Sequence, residues 1–145
     1  MSGIVGEEAL KLAQTIWKTM CKGKGYERNL QQVVIKSAGQ GACVAEFQVE
    51  EGMTNKGGGL HGGCTATLID CISTIGLMTS KNSSPGVSIN LSVNYLKGAK
   101  VGETIVIDSK TVKSGKTLAF LETVLKKKDN NDVVATGSHI KFIGS

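Results

Sequence analysis

The sequence predicts an α+β domain in which an antiparallel sheet wraps around one apolar helix. Two segments have apolar residues at helical spacing, one near the N-terminus and one in the middle of the chain. Six further segments have the length and the apolar pattern of strands. Glycine-containing turns separate several of these elements, and the chain has nineteen glycines against one proline. Without an internal repeat or linker, residues 1–145 are expected to form one domain.

The first half of the chain predicts a helix, a hairpin and a second helix. Residues 7–21 have apolar side chains every three or four positions, which is typical of an amphipathic helix. Residues 32–38 and 42–49 predict two strands, paired as a hairpin across Gly39-Gln40-Gly41. A glycine-rich loop then leads into a mostly apolar helix near residues 62–79.

The second half predicts four strands. In residues 87–95 the odd positions are apolar or aromatic and the even positions are serine or asparagine. Strict alternation predicts that Ser88 lies on an uncharged, hydrogen-bonding face, opposite Leu91. Such a face suits a ligand or an interface. The other strand candidates are residues 103–112, 116–126 and 132–143, with turns at Ser114-Gly115 and at residues 129–131.

Charge and composition exclude some function classes. The net charge is +5, and many lysines lie in the last third of the chain, which favours an anionic partner over a neutral one; a solvated lysine face is the simpler alternative. Only six aromatic residues are present, and none interleaves the basic positions as stacking platforms would. Nucleic-acid binding is therefore not expected.

The four cysteines predict a reduced intracellular protein. They have no CxxC spacing and no histidine at metal-ligand intervals, so no metal site is expected. The N-terminal residues include acids and lack the apolar stretch of a signal peptide. The central apolar run is too polar and too interrupted by glycine to span a membrane. We expect a cytoplasmic or mitochondrial location.

The most informative segment is residues 57–80, which contain one formal charge, Asp70. Burying an ionised carboxylate without compensation is costly, so this residue needs a partner, an altered protonation equilibrium or a chemical role. Just before it, His61-Gly62-Gly63 is expected to start the helix and to present unpaired backbone N–H groups. These groups could form an oxyanion hole or an anion site. A plain helix start with a capping histidine is the alternative, and the residues alone leave both open.

The spacing within this segment has a consequence for assembly. Gly62 and Asp70 are eight residues apart, which is roughly 12 Å along one helix. A carbonyl held at Gly62 therefore cannot touch Asp70 of the same chain. If both act on one substrate, the central helices of two copies must lie antiparallel across a two-fold axis, as in a homodimer with shared sites.

Several motifs together resemble one known family. Leu60-His61-Gly62-Gly63, with Asp70 nine residues after the histidine, is similar to the motif of the hotdog-fold acyl-CoA thioesterases of the phenylacetate-pathway type. The resemblance runs from the first helix to Gly144. It is also carried by Thr54-Asn55, Thr65-Ala66-Thr67-Leu68, Pro85-Gly86-Val87-Ser88 and Gly115-Lys116-Thr117-Leu118-Ala119-Phe120. It implies a hotdog fold, in which a six-stranded antiparallel sheet wraps around a central helix, with an additional N-terminal helix.

The resemblance also implies an activity and a set of catalytic roles. The enzyme would hydrolyse medium- or long-chain fatty acyl-CoA to a free acid and coenzyme A, with no metal and no cofactor beyond the coenzyme A of the substrate. Asp70 would act as general base on water or as nucleophile. The other implied catalytic residues are Gly62 and Gly63, whose amides polarise the thioester carbonyl, His61 beside them, Asn55, which positions water or the leaving thiol, and Ser88, beside Asp70 of the opposite subunit.

A second set of residues would bind the coenzyme A portion. By resemblance these are Asn90, Tyr95, Lys113, Ser114, Gly115, Lys116, Thr117 and Leu118, whose lysines suit the phosphates. The resemblance further implies that two dimers associate. His139, outside all these motifs, is expected to be a structural or surface histidine.

Two other functions remain to be weighed. A non-catalytic acyl-CoA binding or regulatory protein on the same fold would keep the glycines and lysines but would not need Asp70. A hydratase on this fold would typically present an Asp/His pair in a different motif.

Overall fold

The computed structural model describes residues 3–81 and 84–144. Its two α-helices are α1 (Gly6–Lys22) and α2 (Gly62–Met78). Short 3₁₀ turns cover Tyr26–Leu30 and Glu51–Met53. The strands are β1 (Val34–Gly39), β2 (Ala42–Gln48), β3 (Val87–Tyr95), β4 (Thr104–Ser114), β5 (Leu118–Lys127) and β6 (Val133–Phe142).

The strands form one six-stranded sheet in the order β1-β2-β4-β5-β6-β3, with every neighbouring pair antiparallel. The predicted element order, a helix, two strands, a central helix and four strands, is confirmed. Leu68, Ile69, Ile72 and Ile75 of α2 are fully buried, because this helix packs against the inner face of the sheet. None of the helices among the described residues is both long and apolar enough to cross a membrane.

The two edges of the sheet differ. At the β1 edge, two side chains of α1 donate hydrogen bonds to the backbone. Gln14 Nε2 donates to Ile35 O in the strand at 3.2 Å, and Trp17 Nε1 donates to Val33 O, just before the strand, at 2.9 Å. At the other edge, β3 carries the exposed apolar side chains Val87 and Ile89. An exposed edge strand with apolar side chains can pair with another chain.

The prediction of strict alternation along β3 is wrong. A β-bulge between Ser88 and Asn90 shifts the register: Ser88 pairs with Lys141, and Asn90 pairs with Ile140. A bulge inserts one extra residue and reverses the facing of all that follows. Ser88 therefore shares the inner face of the sheet with Leu91, and Asn90 lies on the outer face.

The predicted turns are confirmed, with small shifts in the strand ends. Gln40 has φ 51° in the first hairpin, a left-handed conformation between two glycines that also have positive φ. Asn131 has φ 62° in the turn before β6, as asparagine tolerates better than most residues. The turn between β4 and β5 falls at residues 115–117, as the Ser114-Gly115 pair predicts.

Candidate active site

Helix α2 begins at the glycine turn, which we define as His61, Gly62 and Gly63. His61 is the N-cap, and its Nδ1 accepts a hydrogen bond from the Gly63 amide at 2.8 Å. A Cβ at Gly63 would lie 2.9 Å from the imidazole, so this close approach requires glycine. The Gly63 amide is thus already bonded to its own chain. Among the described residues, none accepts a hydrogen bond from the Gly62 amide, which leaves that donor for an external group.

The loop before the glycine turn is tied together by Asn55. Its side-chain Oδ1 accepts hydrogen bonds from the backbone amides of Gly57 at 2.9 Å and Gly59 at 3.2 Å. Its backbone N–H donates to Gly59 O at 2.8 Å. The His61 amide donates to Met53 O at 2.8 Å. The loop therefore has a defined shape in spite of its three successive glycines. The side-chain carboxamide of Asn55 thus holds the loop in this shape.

Tyr95, at the end of β3, closes over the glycine turn. Its hydroxyl donates to Gly62 O at 2.8 Å, and a Cβ at Gly62 would lie 3.3 Å from the ring. A cavity of about 450 Å³ opens beside this contact. Its lining residues are Asn55, Leu60, Gly62, Tyr95, Leu96, Lys97 and Gly98. The structure thus brings Asn55, Gly62 and Tyr95 together around one opening.

Asp70 lies two turns further along α2 and is separated from this opening. Its side chain is 47% exposed, although the helix around it is largely buried. Its Oδ1 lies 3.8 Å from Nε2 of His139, whose side chain is fully buried. The carboxylate that sequence analysis singled out therefore has a partner at its inner side and an open side toward solvent.

His139 is held by two serines. Its Nδ1 lies 2.8 Å from Ser73 Oγ on α2, and its Nε2 lies 2.7 Å from Ser88 Oγ on β3. In a neutral imidazole one nitrogen donates and the other accepts, so the ring couples the proton positions of the two hydroxyls. Burial lowers the pKa of His139, against the opposing effect of the Asp70 charge. At neutral pH the ring is therefore neutral.

A buried lysine lies next to this histidine. Lys141 is 4% exposed, and its Nζ donates to Thr74 Oγ1 at 2.7 Å. The Thr74 hydroxyl also lies 2.8 Å from the backbone oxygen of Asp70, one helical turn earlier. We call the residues around the carboxylate, taken together, the carboxylate cluster: Asp70, Ser73, Thr74, Ser88, His139 and Lys141.

Half of this cluster was not predicted from the sequence. His139 is buried, so the expectation of a surface histidine is wrong, and the alternative of a structural histidine stays a prediction. Ser73, Thr74 and Lys141 were not singled out. A signal was present in β6, where Ala135, Gly137, His139 and Lys141 alternate on the buried face. A Cβ at Gly137 would lie 2.8 Å from Ile69, so α2 packs closely on β6 at this glycine.

The residues expected to bind coenzyme A are divided between the two ends of helix α2. Tyr95 lies at the start of α2, whereas residues 113–118 form the hairpin between β4 and β5. Ala119 and Leu121, which follow that hairpin on β5, pack with Leu77 at the other end of α2, roughly 22 Å from Gly62 along the helix. Asn90 lies on the outer face, where it accepts from Ser92 Oγ at 2.9 Å. One copy of the chain does not bring these residues together.

Comparisons with known proteins identify the family. The profile of the thioesterase superfamily matches residues 57–142. Acyl-coenzyme A thioesterase 13 of Mus musculus is 44% identical over 90% of this chain and 93% of its own length. The crystal structure of zebra fish thioesterase superfamily member 2 is 43% identical, with a TM-score of 0.91 over 93% of this chain and 98% of that one.

A more distant structure, a hypothetical thioesterase from Streptococcus pneumoniae with coenzyme A, has a TM-score of 0.71 at 26% identity. It matches 76% of this chain and 84% of its own. The sheet order and the two helices agree with the hotdog architecture of these neighbours. On the strength of the family profile and of a relative that is 44% identical, the chain belongs to the thioesterase superfamily and has its hotdog fold.

Proposed function

We propose that the chain is an acyl-CoA thioesterase that hydrolyses medium- and long-chain fatty acyl-CoA to a free acid and coenzyme A. The observation that carries this proposal is that one apolar helix presents both a half-exposed carboxylate, at Asp70, and a free backbone amide at its start, at Gly62. A carboxylate can activate water, and a fixed amide can stabilise the oxyanion that forms when water attacks a thioester. The name of the mouse relative, acyl-coenzyme A thioesterase 13, supports acyl-CoA as the class of substrate.

In the proposed mechanism Asp70 is the general base. Its carboxylate takes a proton from water as the water oxygen bonds to the thioester carbon. The Gly62 amide of the partner copy donates to the carbonyl oxygen as negative charge develops there. Collapse of the tetrahedral intermediate breaks the C–S bond, and the thiolate of coenzyme A receives the proton. The half-exposed position of Asp70 supports this route, because it leaves room for a water molecule.

The remaining predicted residues have supporting roles in this proposal. Ser88 and His139 orient the water or the carboxylate from the buried side. His61 fixes the first turn of α2 through Gly63, so that Gly62 supplies the free donor. Asn55 shapes the loop beside the carbonyl and can present its amide nitrogen to water or to the leaving thiol. Coenzyme A enters as part of the substrate, and no metal is needed for these steps.

The site is proposed to form between two copies of the chain. The distance of roughly 12 Å between Gly62 and Asp70 along α2 supports this, since one carbonyl cannot reach both. Antiparallel α2 helices would also bring Tyr95 of one copy toward residues 113–118 of the other, which suits the coenzyme A contacts expected there. The exposed edge of β3 offers a surface for the pairing, and two such dimers would then associate.

A reducing cellular compartment, the cytosol or the mitochondrial matrix, fits the thiols. All four cysteines are free and buried. Burial raises the pKa of Cys43 and of Cys71 to about 12, so these two are inert, protonated thiols at neutral pH.

The proposal is tested by the release of coenzyme A from a panel of saturated acyl-CoAs of increasing chain length. We expect wild-type protein to turn over medium and long chains, and D70N to lose kcat by a factor of about 10² to 10⁴. D108N removes a similar carboxylate at an exposed position of β4 and should behave as wild type. Tight acyl-CoA binding without turnover by wild-type protein would instead identify a binding protein.

Water labelled with heavy oxygen tests whether Asp70 acts as a nucleophile whose anhydride is hydrolysed at the aspartyl carbon. In a single turnover with excess enzyme, a general base directs the label into the released acid. A nucleophilic Asp70 would form an anhydride, and its hydrolysis by attack at the aspartyl carbon would leave the label on the protein. We expect the label in the acid, measured by mass spectrometry of both the acid and the peptide containing residue 70.

A further inference from the structure

Lys141 is a charged group in an unusual position. It lies near the end of β6 on the inner face of the sheet, directly under α2, and is 4% exposed. Lysine is almost never fully buried unless its ammonium is compensated. Burial lowers the pKa of Lys141, and the charge of Asp70 acts in the opposite direction. Retaining an ammonium here costs folding free energy, so the position calls for a reason other than stability.

The surroundings of Lys141 leave one anionic partner. The titratable groups facing it are Asp70 and Cys71 on α2 and His139 on its own strand. Burial raises the pKa of the Cys71 thiol to about 12 and lowers the pKa of the imidazole, so both are neutral at neutral pH. The ladder neighbours of Lys141, Ser88 on β3 and Ala119 on β5, do not titrate. Of these groups Asp70 is therefore the one that carries a negative charge, and this charge raises the pKa of Lys141.

A mechanical connection runs parallel to the electrostatic one. Lys141 Nζ donates to Thr74 Oγ1 at 2.7 Å, and the Thr74 hydroxyl donates to the backbone oxygen of Asp70 at 2.8 Å. The ammonium is thus anchored to the helical turn that carries the carboxylate. It approaches this turn from the sheet side, away from the exposed side of Asp70, where substrate would arrive.

We propose that Lys141 is a positioning residue for Asp70: through its hydrogen bond to Thr74 it fixes the helical turn that carries the carboxylate. This inference rests on the proposed function, in which Asp70 must accept a proton from water. Lys141 itself does not touch substrate. It acts from behind the carboxylate.

The test uses K141M, which keeps the length of the side chain and removes the charge, and K141R, which keeps the charge. For K141M we expect kcat to fall about tenfold or more, with KM nearly unchanged, because the turn that carries Asp70 is no longer anchored and a small misplacement of a catalytic group is costly. K141R, which can still donate to Thr74, should retain most of the activity. K110M, at an exposed position of β4, is the matched control.

A purely structural role would give a different pattern. If Lys141 served only the fold, K141M would unfold at a lower temperature, and the protein that is folded would keep the wild-type kcat and KM. We expect instead that kcat is lost at a temperature where K141M is fully folded, as thermal unfolding of the same sample shows. A wild-type kcat in folded K141M, while D70N is inactive, would overturn the proposal.

A second measurement does not depend on turnover. Titration of the Lys141 ε-methylene by NMR should give a lower pKa in D70N than in wild-type protein, since the Asp70 charge raises it. An unchanged titration would overturn the coupling. If wild-type protein hydrolyses no acyl-CoA, the proposed function fails, and this titration still decides whether Lys141 and Asp70 act on each other.

Discussion

The glycine turn and the carboxylate cluster lie on the same helix but are built in different ways. The glycine turn is local, since its internal bond joins His61 to Gly63 and its donors are backbone amides at a helix start. The carboxylate cluster is non-local, since His139 is separated from Ser73 by 66 residues and from Ser88 by 51. Backbone donors need only a permissive local sequence, whereas a carboxylate beside an apolar core needs polar support from other elements. The two parts therefore respond to different perturbations.

The largest expected effect comes from separating the two parts between copies of the chain. D70A removes the carboxylate, and N55A removes the side chain that ties the loop beside the glycine turn, so each variant alone should be inactive. In a hybrid dimer one of the two sites combines an intact Asp70 with an intact Asn55. Random mixing should therefore restore about a quarter of wild-type activity, as expected for a two-fold assembly with shared sites.

Subunit exchange must be verified independently, by differently tagged chains that purify together after mixing. Verified hybrids without activity would contradict shared sites. Activity of D70A alone would contradict the role of the carboxylate.

The difference between the two parts also explains how far the sequence could predict the site. His61-Gly62-Gly63 is a contiguous pattern whose physical meaning, a helix start with free amides, can be inferred without any long-range contact. Asp70 was identifiable because one charge stood in an apolar helix. The fold followed from periodicity in the same local way, and its predicted hairpin and element order are confirmed.

The features that the sequence could not predict depend on strand register and on how α2 packs against the sheet. Strict alternation placed Ser88 on the wrong face, because a bulge between Ser88 and Asn90 is decided by pairing with β6 and not by the residues of β3 alone. His139 and Lys141 were likewise invisible as neighbours of Asp70, since only the packing of α2 on β6 brings them there. The catalytic roles themselves stay predictions until Asp70 and Ser88 are substituted.

A smaller effect is expected on the pH dependence of the free energy of unfolding, and it comes from the carboxylate cluster. The pKa of His139 is lowered by burial, so between that value and the ordinary value the unfolded chain binds more protons than the folded one. Stability therefore rises with pH across this window and is lost as the pH falls from about 7.5 toward 5.5. H139Q, which keeps polar atoms near both serines but does not titrate, should lose this part of the pH dependence.

Thermal unfolding at fixed protein concentration, compared at the two ends of that window, measures the effect. Fixing the concentration matters because assembly contributes to apparent stability. Equal slopes for wild type and H139Q would show that the buried imidazole is not the group that titrates.

The smallest effect is expected at the contact between Tyr95 and the glycine turn. Y95F removes one hydrogen bond, from the hydroxyl to Gly62 O, while the ring still covers the glycine. A single hydrogen bond at an exposed residue contributes about 1 kcal/mol or less, so KM should rise no more than about fivefold, with kcat nearly unchanged. Y26F, at another exposed tyrosine, is the matched control and should leave both constants at wild-type values. A large loss of kcat in Y95F would mean that the hydroxyl itself acts on the reacting carbonyl. The glycine turn would then depend on a side chain from β3, as the carboxylate cluster depends on Ser88.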